Sequence, residues 1–244
     1  MLSKTQIKYI QSLGQKKFRD AHQVFIAEGP KIAKEILTNT ALHIRHIYAL
    51  QNWITEHASY LQDMEVTPVE TYELEKISLL SAPNQVLMIV AQPVPAVIEP
   101  TEDTVILALE TIQDPGNLGT IIRIADWFGI KHIMASTDSA DCYNHKVVQA
   151  TMGSIGRVAV AYGELGDFLR KHHAEKIYAC TLDGTDIRQM EKISRGILLV
   201  GNESKGISDS LSALAHDRVT IPRRGQAESL NAAVATGIIL SHLT

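Results

Sequence analysis

The chain has 244 residues, of which 45% are hydrophobic and 20% charged, and its net charge is −4. This is enough apolar material for one large α/β domain or two smaller ones, and the acidic balance argues against a protein that holds nucleic acid through its overall charge, while leaving room for a local basic patch. No apolar run approaches the roughly 18 to 20 residues of a membrane span, and the start "MLSKTQIKYIQSLGQKKF" lacks the apolar segment and cleavage site of a signal peptide, so the expected location is the cytoplasm.

The first 45 residues carry eight Lys/Arg against three Asp/Glu, whereas residues 46 to 100 carry one against seven. Lys4, Lys8, Lys16, Lys17, Arg19, Lys31 and Lys34 suit either a polyanion or a solvated helical face. Here β-rich runs ("VFIAE", "IRHIYAL", "VLMIVAQ") alternate with helical stretches ("PKIAKEILTN", "YELEKISLL"), which predicts a small α/β domain. The segment "QPVPAVIEPTED", residues 92 to 103, has three prolines and no periodicity and reads as a linker. The expected organisation is therefore a domain over 1–95, a linker over 96–103 and a second domain over 104–244. In the second domain, strands "TVILALE", "HIMAS", "RVAVAY", "KIYACTL", "GILLVG" and "RVTIP" are separated by helix-compatible sequence, the pattern of a largely parallel sheet covered on both faces. Cys142 and Cys180 lack metal-site spacing and read as packing thiols. His43, His46, His172 and His173 form no HExxH pattern, so no metal is implied.

Ligands of open parallel sheets collect at the loops after the strand carboxyl ends, and three such loops are richer than turns require. In "DPGNLGTIIR", Pro115 and Gly116 make a turn and Asn117 can cap the helix. Arg123 then falls in an apolar helical stretch, where a guanidinium must be exposed, paired with Asp126 at i+3, or aimed at an anion. In "NESKGIS", Asn202 and Glu203 lie between Gly201 and Gly206, a turn that can also offer backbone amides and a carboxylate to a small polar ligand. In "RRGQAESLN", a helix is expected to begin near Ser229, with Ser229 or a neighbour as cap and Leu230, Val234 and Ile238 as its apolar positions. Capping and packing leave Glu228, Asn231, Arg223 and Arg224 unexplained. The phosphate-loop and dinucleotide fingerprints are missing.

Together the loops resemble the three motifs of the SpoU/TrmH branch of the SPOUT methyltransferases: "DPGNLGTIIRIADWFG" at 114–129, "LLVGNESKGIS" at 198–208 and "IPRRGQAESLNAAVATGIIL" at 221–240. The first domain is similar to the family's ribosomal-protein-like α/β RNA-binding module, most visibly in "FIAEGPKIAKEIL" at 25–37. The resemblance implies a parallel sheet with a deep trefoil knot, a topology that pattern reasoning alone would reject. It also implies S-adenosylmethionine as cofactor, held near Thr181, Gly201, Ile221 and Leu230; RNA as substrate, ribosomal before transfer; and a homodimer, with the small-residue helix 229–240 contributing to its interface. The chain departs from the family in Arg223, commonly Met, and in Ala232 and Ala233, commonly a Val-Ser pair.

Methylation of a ribose 2′-hydroxyl needs in-line positioning and removal of a proton. The resemblance places Arg123 at the hydroxyl as base. A guanidinium does not deprotonate near neutrality, so the expected role is a cation that stabilises the developing alkoxide, with an RNA phosphate oxygen as proton acceptor. Asn117 is expected to orient the ribose or Arg123, Glu203 to anchor Arg123 or a substrate hydroxyl, and Ser229 and Asn231 to line the same pocket. Lys16, Lys17 and Arg19 are the expected RNA contacts. The alternative is a non-catalytic RNA-binding protein that retains the fold; a small-molecule methyltransferase would leave the basic domain without a role.

Overall fold

The computed structural model describes residues 1–38 and 41–244; Asn39, inside the predicted helical stretch 30–39, lies outside them. In chain order the elements are α1 (Lys4–Ser12), α2 (Lys16–His22), β1 (Val24–Glu28), α3 (Pro30–Leu37), β2 (Ile44–Ala49), α4 (Gln51–Glu56), β3 (Val66–Pro68), α5 (Thr71–Ile77) and β4 (Val86–Ala91). After a stretch without helix or strand come β5 (Val105–Leu109), α6 (Pro115–Trp127), β6 (His132–Ser136), α7 (His145–Thr151), β7 (Ala159–Gly163) and α8 (Leu165–Lys171). The chain ends with β8 (Ile177–Asp186), β9 (Gly196–Val200), α9 (Asp209–Ser212), β10 (Asp217–Thr220) and α10 (Ala232–Leu243). Two compact units result, one of Met1–Val94 with Asp141–Gly156 and one of Pro95–Ala140 with Arg157–Thr244.

The first unit holds a four-stranded sheet ordered β1-β4-β2-β3, with β4 antiparallel to both neighbours and β3 parallel to β2. Every residue of β1 is buried, because both faces of that strand are covered. Val24 and Ile26, with Leu87 and Ile89 of β4, meet Ile10 of α1 and Leu74 and Ile77 of α5. The alternate residue Phe25 stacks on Tyr143, with ring centroids 5.0 Å apart, in the segment that carries α7. Gln149 of α7 donates to the Glu28 carbonyl at 2.9 Å. Residues 141–156, expected in the second domain, thus complete the apolar cover of β1 in the first unit.

The second unit is a six-stranded sheet ordered β10-β8-β9-β5-β6-β7, parallel throughout. β5 and β9 lie inside it and are buried at all five positions, so they read as continuous apolar runs. One face packs Ile106, Ala108, Ile197 and Leu199 against Leu165, Phe168 and Leu169 of α8 and Leu211 of α9. Helices α6 and α10 pack together, with Gly237 set close to Ile124. α10 starts at Ala232, not near Ser229, and buries Ala232, Ala233, Thr236, Ile239, Leu240 and Leu243. The expected apolar positions Leu230 and Val234 are instead 44% and 51% exposed.

Strand order fixes where a site can form. The chain leaves β10 at the sheet edge, yet α10 returns to α6, the helix that follows β5 three strands away. Residues 221–231 make that return at the carboxyl ends of the strands, beside the loops that follow β5 and β9.

Candidate active site

The first loop is shaped by Asp114, whose carboxylate caps α6 by accepting the Asn117 N–H at 2.8 Å, with Pro115 in the first turn. Asp114, not Asn117, is the cap. The Asp-Pro pair is the signal for it, since a capping side chain before a helical proline marks a helix start. The Asn117 side chain is thereby left for other partners.

The second loop is a tight turn after β9. Asn202 and Gly206 pair through their backbones, and Asn202 Oδ1 accepts the Ser204 and Lys205 N–H groups at 2.9 and 3.2 Å. A Cβ at Gly201 would come within 2.3 Å of the Gly206 carbonyl oxygen, so only glycine closes this turn. Glu203 sits half-buried at its tip.

In the third loop Asn231 is the cap of α10. Its Oδ1 accepts the Ala233 and Val234 N–H groups at 3.0 and 3.2 Å, which leaves its Nδ2 free to donate to Asn117 Oδ1 at 2.7 Å. Asn117 Nδ2 in turn donates to Glu203 Oε1 in a short hydrogen bond. One relay, Asn231 to Asn117 to Glu203, joins all three loops.

Arg123 and Ser229 stand outside the relay. Arg123 lies six residues further along α6, about 9 Å down the axis, is exposed, and makes no hydrogen bond or ion pair among the described residues. The Asp126 pairing allowed by the sequence does not form: Asp126 accepts from Arg157, with Nε contacts of 2.9 and 3.1 Å. Glu203 engages Asn117, not Arg123. Ser229 and Glu228 are exposed, and Arg223 donates to the Ala227 carbonyl at 3.2 Å, holding the loop on itself.

Of the expected cofactor contacts, Thr181 carries the most informative feature: its Oγ1 is buried with no hydrogen-bond partner. A buried hydroxyl without a partner is costly and suits a polar ligand atom. Gly201 and Ile221, each just after a strand, are half-buried and supply backbone, and Leu230, in the loop before α10, is exposed and supplies an apolar side chain. These residues fit S-adenosylmethionine.

The expected RNA contacts divide. Lys16 is exposed and paired with Asp20 at 2.9 Å, and Lys17 is exposed above the Phe18 ring. Arg19 is only 3% exposed. Its guanidinium donates to the Leu13 and Gly14 carbonyls at 2.9 Å and pairs with Asp141 at 2.5 Å. Buried and held by these acceptors through both terminal nitrogens, although its Nε is buried without a partner, Arg19 forms a structural ion pair and is not placed to meet RNA. Among the described residues no group of His, Cys, Asp or Glu is arranged to hold a metal, and no helix is long and apolar enough to cross a membrane.

Residues 104–241 match the SpoU rRNA methylase family, and residues 4–88 match the MRM3-like substrate binding domain. The chain belongs to the SpoU rRNA methylase family. Among SpoU relatives, the chain is 28% identical to the 23S rRNA (guanosine(2553)-2′-O)-methyltransferase of Bacillus subtilis, over 97% of this chain and 95% of that one. An AdoMet-bound rRNA methyltransferase from Sinorhizobium meliloti is similar in structure, with a TM-score of 0.87 and 33% identity over 100% of this chain and 96% of that one. A TrmH-family protein from Porphyromonas gingivalis reaches a TM-score of 0.88 at 35% identity, over 100% and 98%. The SpoU match spans all three loops of the relay.

Proposed function

We propose that this chain methylates a ribose 2′-hydroxyl of ribosomal RNA with S-adenosylmethionine. The observation that carries the reading is the relay from Asn231 through Asn117 to Glu203, which joins the loops after three separate strands at the start of the helix that also carries the exposed Arg123. Ribosomal RNA is favoured over transfer RNA because the B. subtilis relative, matched over nearly its whole length, is named for 23S rRNA.

S-adenosylmethionine, when bound, supplies an electrophilic methyl group. The chain's residues do the rest. Thr181 Oγ1 within β8, the Gly201 and Ile221 backbone just after β9 and β10, and Leu230 just before α10 hold the cofactor. Asn117, fixed on both sides by Glu203 and Asn231, presents an amide that cannot rotate without breaking a hydrogen bond, which suits it to orient a ribose. Arg123 supplies an uncompensated cation for the oxygen as it loses its proton, and an RNA phosphate oxygen accepts that proton. Ser229, exposed two residues before Asn231 in the third loop, is available to the substrate.

The return of residues 221–231 from the sheet edge to α6 supports the trefoil knot implied by the family. The outward apolar side chains Leu230 and Val234 on the α10 side and Trp127 at the end of α6, 84% exposed, support a homodimer. A cytoplasmic location accords with an RNA substrate. The deciding experiment is to map ribose methylation across total RNA from cells with and without this protein. Loss of one 2′-O-methyl group from ribosomal RNA is expected; loss from transfer RNA would reassign the substrate, and no change would remove the assignment.

A further inference from the structure

At the carboxyl end of β5 the backbone takes a path that its residue type resists. Thr111 has φ 56°, in the left-handed region where a β-branched side chain is rare because Cβ crowds the backbone. Glycine would occupy the position freely. What holds threonine there is the use of all its polar groups. Its N–H donates to Ser136 Oγ at 2.8 Å, its hydroxyl to Asp138 Oδ2 at 2.9 Å, and its carbonyl accepts from Asn202 Nδ2 at 3.0 Å. Ser136 gives its own proton to Asp138 Oδ1 at 2.6 Å, so one carboxylate gathers both hydroxyls, and these donors hold it below the usual carboxylate range. The ends of β6, β5 and β9 are thus tied through a single residue.

The effect falls on the pair of Asn117 and Glu203. Thr111 precedes Asp114, the cap of the helix that bears Asn117, by three residues, and Asn202 is the immediate neighbour of Glu203. The Thr111 carbonyl therefore sets the turn that carries Glu203 while its backbone sets the approach to α6. We propose that Thr111 is a positioning residue for methyl transfer: its strained backbone, clamped by Ser136, Asp138 and Asn202, fixes the spacing between the first and second loops and so holds Asn117 against Glu203. Strain persists where surrounding contacts over-determine it, as they do here. Thr111 makes no hydrogen bond to the relay and acts through it. The inference rests on reading the relay as part of the methyl-transfer site.

Three variants of the full chain test it. Thr111→Gly removes both strain and hydroxyl, Thr111→Val keeps the branched side chain without the hydroxyl, and Thr111→Ser keeps the hydroxyl. In Thr111→Gly, Tm should stay level or rise as the left-handed cost disappears, while kcat falls about tenfold to a hundredfold with KM for RNA and cofactor affinity unchanged. Thr111→Val should lose both Tm and kcat, and Thr111→Ser should recover most of kcat. The Asn117 side-chain amide protons, followed by NMR, should exchange faster in Thr111→Gly than in the parent. A merely structural residue would lower Tm in Thr111→Gly and leave kcat per folded molecule intact, and that result overturns the proposal. So does an Asn117 amide signal unchanged in position and exchange, whether or not the RNA used is the substrate. A parent protein that methylates no RNA but shows the expected amide changes counts against the methyltransferase reading and leaves the clamp standing.

Discussion

Arg123 stands on an exposed helix face with neither a carboxylate nor a carbonyl among the described residues to neutralise it, while the acidic candidate in its own helix, Asp126, is committed to Arg157. Arg123→Ala should therefore leave Tm unchanged, since no pair is lost, and leave cofactor affinity intact, yet lower turnover by on the order of 10² to 10³, the usual cost of deleting one preorganised donor. Arg123→Lys separates a cation from a base: partial activity with an unaltered pH profile supports charge stabilisation, and a profile that follows the lysine supports proton abstraction. Near-normal turnover in Arg123→Ala would sink the assignment. The basic patch of the first domain divides in the same residue-by-residue way. Lys16→Ala with Lys17→Ala should weaken RNA binding and flatten its dependence on salt, because each lost phosphate contact removes a counterion-release term. Arg19→Ala should instead cost about 3–5 kcal/mol of stability by stranding Asp141 opposite a buried gap, visible as a fall in denaturation midpoint. If Arg19→Ala were stable and deficient only in RNA binding, its structural reading would fail.

At the scale of elements, α10 does two jobs through one side chain, and its cap can be separated from its link to α6. Asn231→Asp keeps an oxygen for the Ala233 and Val234 N–H groups, and aspartate caps as well as asparagine, so Tm should hold. It loses the Nδ2 donor to Asn117, and the relay to Glu203 cannot be satisfied at both ends. Turnover should fall while the helix stays. Asn231→Ala should lose both, with about 1 kcal/mol of stability gone with the cap. Equal turnover in Asn231→Asp and the parent would show that the relay is ornamental to catalysis.

The strands and the three loops were legible because alternation and apolar runs are local properties. Of the relay residues, only Asn231 stood out by carrying more polarity than its turn needs; Asn117 read as a helix cap and Glu203 as a turn residue, and their meeting across the loops was implied by the family resemblance alone. The start of α10 was misread because Leu230, Val234 and Ile238 have helical spacing, whereas the buried face uses the small residues between them and the larger ones near the end. The three-residue β3 was too short to show any period. Arg19 looked like its lysine neighbours because nothing local announces that Asp141, far along the chain, will meet it.

Over the whole molecule the same distant contact links a stretch expected in the second domain, residues 141–156, to the first unit. The stretch that carries α7 reads in sequence as the crossover between β6 and β7, which parallel strands require. In the structure it belongs with the first unit, where it brings Asp141 to Arg19, the Tyr143 ring to Phe25 and Gln149 to the Glu28 carbonyl. A fragment of residues 1–95 would keep Arg19 and Phe25 but lose all three partners. The fragment thereby uncovers part of the buried strand β1 and removes the charge opposite Arg19, losses that weigh against the roughly 5–15 kcal/mol that holds a typical domain folded. The fragment 1–95 should consequently melt early and broadly, and joining residues 141–156 to it through a flexible Gly/Ser linker should raise Tm and sharpen the transition. Placing Asp141→Asn in that joined fragment should return part of the loss, because the ring stack and the Gln149 bond remain while the charge opposite Arg19 is gone. If the 1–95 fragment melts as high as the joined one, α7 is a passenger on the first unit and the contiguous boundary read from the prolines is the correct one.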